Sequence, residues 1–72
     1  MKLESSGVAH SKRIVTDDGN ILCMVEQYAN DKWGLTDADT DNRITRGIFT
    51  TPKAALKYVK ERYSKGIPLV EA

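Results

Sequence analysis

Seventy-two residues, 40% of them hydrophobic and 29% charged, make a single domain with room for one small core. A chain this short buries only about 60% of its unfolded surface, but its apolar residues cluster in periodic runs, which argues against disorder throughout. No apolar run approaches the roughly 18 residues a membrane helix needs, "MKLESSGVAHS" holds no apolar signal core, and a single Cys excludes an internal disulfide, so a cytoplasmic protein in a reducing compartment is expected.

Residues 1–11 read as a polar, flexible lead-in in which Leu3 and Val8 could dock on a core, and residues 12–72 as the α+β domain. "KRIVTDDGNILCMVEQY" then predicts a β-hairpin. Asp18-Gly19 suits a two-residue type I′ turn, which needs positive φ at both positions. That turn pairs Thr16 with Ile21 and Ile14 with Cys23. Alternation puts Ile14, Ile21, Cys23 and Val25 on one face and Val15, Leu22, Met24 and Tyr28 on the other, so both faces are expected to be apolar. "ANDK" predicts a turn, "WGLT" (33–36) a short strand, and "RITRGIF" (43–49) a further strand, with Gly47 marking a bulge or a close backbone approach. "TTPKAALKYVKERYSKG" predicts the helix. Thr50 or Thr51 is the N-cap, Pro52 lies in the first turn, and Gly66 follows the end. Ala55, Leu56, Val59 and Tyr63 make its core stripe, with Tyr58 off it. The apolar tail "IPLVEA" is expected to pack as an extended segment. The order is β-β-β-β-α: a three- to four-stranded antiparallel sheet packed on one C-terminal helix.

"TDADTDNRI" (36–44) has the opening of an EF-hand calcium loop, with Asp37, Asp39 and Asp41 at alternating ligand positions. The residue at the place of the bidentate Glu is Ile48, which cannot ligate, and the flanks read as strands rather than helices. An acidic hairpin connection accounts for the same residues, and these three aspartates remain only a remote metal candidate. His10 and Cys23 are the only His and Cys, too few for a zinc site. Cys23 is expected to be a buried apolar residue and His10 to be exposed. No nucleophile, base and orienter come together in the sequence, and no phosphate-binding Gly loop occurs. A non-enzymatic protein without cofactor or small-molecule substrate is therefore expected.

Charge is unevenly spread. Residues 1–41 hold four basic against eight acidic residues, a balance of −4, and residues 42–72 hold seven basic against two acidic, a balance of +5. Such asymmetry fits self-association or a charged partner.

"KWGLTDADTDNRITRGIFTTPKAALKYVKER" resembles the end of AP2-type DNA-binding domains and their relatives at the N-termini of phage integrases. The resemblance rests on Gly47, Phe49, Thr51 and Ala55 at the spacing of the family's last strand and helix, and on Trp33 as a strand aromatic. It covers about half the chain. It implies a small antiparallel sheet packed on one helix, with strand Arg and Trp side chains on the opposite face contacting DNA. The first hairpin departs from that pattern, because Lys12 and Arg13 are its only basic residues and an aliphatic face does not read bases. The expected function is therefore a small binding protein (an adaptor, inhibitor or accessory protein, of the kind found in phages and mobile elements) acting through protein contacts. An apolar second sheet face would be covered by a homodimer or another protein partner. Trp33, Arg43, Arg46, Tyr58 and Arg62 are the expected contact residues. The alternative is nucleic-acid binding through Arg13, Arg43 and Arg46.

Overall fold

The computed structural model describes residues 1–40, 42–44 and 48–69. Its elements in chain order are β1 (Lys2–Ser5), β2 (Ser11–Val15), β3 (Ile21–Ala29), β4 (Lys32–Thr36) and α1 (Pro52–Ser64). The strands form one antiparallel sheet in the order β1-β2-β3-β4. The expected α+β class and β-β-β-β-α order hold, but the strands are not the four expected.

The difference lies at both ends of the sheet. The segment expected as a flexible lead-in forms β1, which pairs Lys2 with Val15, Leu3 with Ile14, Glu4 with Arg13 and Ser5 with Lys12. Leu3 is half-buried against the core, as is Met1 just before it, and these apolar contacts anchor a strand that otherwise reads as polar. The chain returns from β1 through Gly7 and His10, both left-handed (φ 81° and 64°), while the Ser6 hydroxyl donates to the Ser11 carbonyl at 2.9 Å. The sheet unit therefore begins at residue 2 rather than 12. In place of the strand expected over 43–49, the described residues make two isolated bridges beside β4, Thr36 with Arg43 and Trp33 with Phe49. Thr36 and Trp33 are three positions apart, Arg43 and Phe49 six, so the two bridges do not share one register. Gly47 lies outside the described residues.

The hairpin turn is also different. Gly19 has φ 89° but Asp18 does not have positive φ, which excludes type I′. The Gly19 amide donates to the Thr16 carbonyl at 2.9 Å and the Thr16 amide to the Asn20 carbonyl at 2.8 Å, so the loop has three residues, Asp17-Asp18-Gly19, with Gly in the left-handed position. A bulge between Ile14 and Val15 leaves Leu22 unpaired and restores the expected Ile14–Cys23 pair. Its consequence is that Ile21 pairs with Val15, not on the Ile14 side, and is 46% exposed instead of joining the core.

α1 closes the core. Ile14, Cys23, Val25, Leu35 and Ile44 meet Ala55 and Val59 of the helix. Thr51 caps α1 by accepting from the Ala54 amide at 3.2 Å, and Pro52 occupies the first turn. At the far end, the Ile67 amide donates to the Arg62 carbonyl at 2.9 Å past Gly66, a Schellman closure. Tyr63, expected in the core stripe, is 55% exposed. Its place is taken from the flank by Tyr58, half-buried against the core. Among the described residues, no helix is long and apolar enough to cross a membrane.

Cys23 is fully buried, and desolvation, helped by the negative charge of Asp37, pushes its thiol up to about 11. A raised thiol pKa favours the folded state while the unfolded thiol is still protonated. The contribution is therefore complete below pH 9 and is lost as pH rises from 9 towards 11. Each tenfold change in the folding equilibrium is about 1.4 kcal/mol, so urea unfolding at pH 10.5 should show roughly 2 kcal/mol less stability than at pH 8. That loss should be absent from the pH dependence measured for Cys23→Ala.

Candidate functional site

Strand register sorts the side chains. Leu3, Ile14, Cys23, Val25, Leu35 and Trp33 share the face under α1. The opposite face is open. Across it runs one row built from successive pairings: Glu4, Arg13, Met24, Thr36 and Arg43. Directly paired residues point the same way, so all five side chains stand on the open face. Beside this row lie Glu26, paired with Gly34, and Tyr28 two positions further along β3.

The face is ordered by five contacts. The hydroxyl of Thr36, the one buried polar side chain among the described residues, donates to Glu26 Oε1 at 2.8 Å. Arg13 lies 3.7 Å from Glu4 and also donates to the Ser6 carbonyl at 3.4 Å. The Tyr28 ring lies across Gly34, so closely that a Cβ there would sit 2.8 Å from the ring's Cζ. Gly34 is thereby buried although it carries no side chain, as when an aromatic ring covers a strand glycine. The Arg43 guanidinium then stacks on Tyr28, 4.6 Å from the ring centroid. Tyr28 remains 47% exposed. The outcome is a layered group (glycine, ring, guanidinium) on the β4 side of the open face, near the end of β3.

The face is less apolar than the hairpin pattern suggested. Val15 is only 3% exposed and Met24 half-buried, and both are interleaved with Lys2, Glu4, Arg13 and Glu26. The expected contact residues do not form one group. Arg43 stands on the open face. Trp33 packs against the core on the helix side and pairs its backbone with Phe49. Tyr58 packs its ring on Phe49 at 5.4 Å, and Arg62 stacks over Tyr58 at 5.2 Å. Arg62 also donates twice to the Pro68 carbonyl, at 3.1 and 2.9 Å, which ties down the segment after α1. Trp33, Tyr58 and Arg62 thus hold the fold's flank and C-terminal segment together. Arg46, of both the protein-contact and nucleic-acid sets, lies outside the described residues.

The acidic stretch is a connection from β4 to the Arg43 bridge. Asp37 Oδ1 accepts the Asp39 and Thr40 amides at 2.7 and 3.2 Å, and the Asp37 amide donates to the Asn42 carbonyl at 2.8 Å. Asp37 therefore serves its own backbone as an Asx turn. Asp39 is exposed, and Asp41 lies outside the described residues. Among the described residues no three His, Cys, Asp or Glu side chains gather as a metal site. His10 is exposed with Nδ1 2.7 Å from Gln27 Oε1.

Sequence reasoning missed Tyr28, Met24 and Gly34 as site residues. The signal was Gly34 inside a strand, the same close-approach mark that was assigned to Gly47. Gly34→Ala should leave the fold in place, because only the ring, a movable group, blocks the new methyl. Strand propensity gained from Ala, about 0.5–1 kcal/mol, should roughly offset the lost ring contact. The measurable result should be a change in tyrosine fluorescence and near-ultraviolet circular dichroism, with an unfolding midpoint in urea close to the parent's.

Compared with protein-family models, with curated proteins and with solved structures, the chain matches none.

Proposed function

We propose that the chain is a small non-enzymatic binding protein of the cytoplasm that docks a protein partner on the sheet face opposite α1. The observation that supports this most is the Tyr28–Arg43 pair on Gly34, which holds an exposed aromatic and a guanidinium in one geometry before any partner arrives. Tyr, Arg and Met are enriched where protein interfaces bury surface, and Tyr and Arg dominate their binding energy. Here all three stand within one open face, with Glu26 between Met24 and Tyr28 and Arg13 across from Met24 to orient a partner. Rigid pre-assembly lowers the entropy cost of binding. The buried, free Cys23 suits a reducing compartment.

A peptide library displayed on phage and panned against the protein tests this. Selected peptides should lose affinity by about 30-fold with Tyr28→Ala and about tenfold with Arg43→Ala, the range of interface hot spots. Lys57→Ala and Lys60→Ala, on the exposed side of α1, should leave binding unchanged. Peptides indifferent to Tyr28 and Arg43 would place the docking surface elsewhere.

Nucleic-acid binding is the second reading, favoured by Arg13 and Arg43 standing in one row of that face. Three strand spacings separate them, about 14 Å, close to the width of a major groove. Glu4 and Glu26 on the same face work against it, since both repel phosphate. Fluorescence anisotropy with a random-sequence DNA duplex decides the matter. With two or three arginines on phosphates, log K should fall with log salt at a slope of about −2 to −3. No binding at low salt removes this reading.

A further inference from the structure

The free edge of the sheet is β1, and the direction of its backbone groups follows from the neighbouring strands. The Thr16 amide donates to Asn20 across the β2–β3 hairpin, and the His10 carbonyl accepts the Gln27 amide. Even-numbered residues of β2 therefore direct their backbone groups at β3, and Val15 and Arg13 direct theirs at β1. Lys2 and Glu4, opposite Val15 and Arg13, face inward in turn. The N–H and C=O groups of Leu3 and Ser5 thus point out of the sheet along β1's open edge.

An outward N–H and C=O on one residue is half of a hydrogen-bonded antiparallel pair. The geometry points to a second copy of this chain as the occupant: β1 pairs antiparallel with the partner's β1 about a two-fold axis at Leu3, making one continuous eight-stranded sheet. In this register Leu3 faces the partner's Leu3 and the two exchange both N–H···O bonds. Lys2 then stands opposite the partner's Glu4, and Glu4 opposite the partner's Lys2, on the open face. Charge complementarity selects this register. Moving it by two residues sets Glu4 against the partner's Glu4 in one direction and Lys2 against the partner's Lys2 in the other, and like charges directly opposite are unfavourable. A one-residue slip would set helix-side against open-side residues. On the helix side Leu3 and Ser5 border a groove lined also by Lys12, Thr51 and Pro52, and the partner's Leu3 would lie at its mouth. Both helices fall on one side of the joined sheet and both open faces on the other, so the edge and the proposed docking face are used independently.

Sedimentation equilibrium from micromolar to about 0.5 mM protein tests the pairing through its charges. Lys2→Glu alone and Glu4→Lys alone each turn two attractive pairs into repulsive ones and should weaken the dimer by about 30-fold or more. The double variant carrying both exchanges should dimerise like the parent. Mixing the two single variants should give a heterodimer, because one chain is then acidic at both positions and the other basic at both, so each facing pair is of opposite sign. Circular dichroism should show every variant folded, since the Glu4–Arg13 contact is solvent-exposed and contributes little to stability. A parent chain that stays monomeric throughout, or a dimer unmoved by the single exchanges, overturns the pairing. Either result leaves the docking-face reading untouched.

Discussion

One helix covers one face of a sheet that has two. α1, with thirteen residues, is about 20 Å long, and the four strands span about 14 Å between the outer strand axes, so the helix is long enough to seal one side and only one. Ala55 and Val59 meet Ile14, Cys23, Val25, Leu35 and Ile44 there, and that contact is the core among the described residues, small as a chain of this size requires. The packing on the helix side follows from it. Trp33, Phe49 and Tyr58 fill the margins of the seal, and Arg62 ties the chain after the helix back across Tyr58. Residues that look available for recognition in the sequence are drawn into this perimeter because a small core needs every large side chain at its edge.

The uncovered face meets the same problem with different means. A fully apolar second face would be a liability in water. Here Val15 is shielded and Met24 half-shielded among Lys2, Glu4, Arg13 and Glu26, and the bare backbone at Gly34 is roofed by Tyr28. Arg43 reaches that roof only because the acidic connection after β4 turns tightly. Asp37 binds its own loop amides, and the chain comes back with Arg43 beside Thr36. The aspartates that suggest a calcium loop thus act, as far as Asp37 goes, as turn chemistry, and the place where the chain's charge changes sign is also where it rejoins the sheet.

Much of this was legible in the residues. The hairpin around Asp18-Gly19, the Ile14–Cys23 pair, the Thr51 cap with Pro52, the stop at Gly66 and the burial of Cys23 each depend on neighbours within a few positions. The site was less so. Tyr28 and Gly34 are six positions apart and meet because Glu26 pairs with Gly34, which makes Tyr28 the diagonal neighbour of that glycine across β3 and β4. Tyr58 packs against the core and on Phe49 while Tyr63 stays exposed, a choice made by tertiary neighbours rather than by the helix's own pattern of apolar residues.

The sequence by itself determined the class of fold, the hairpin around Asp18-Gly19, the strand over 33–36 and the capped C-terminal helix, because local backbone preference and side-chain period set those. Only the tertiary structure decided that the polar N-terminal segment is a strand, since Leu3, the apolar residue of β1, becomes worth burying only when Ile14 lies opposite. It also decided which arginine belongs to the open face. Arg43 and Arg62 are alike in the sequence. One lands on Tyr28 and the other on Tyr58, because pairing register and helix rotation, both long-range properties, place them on opposite sides of the sheet.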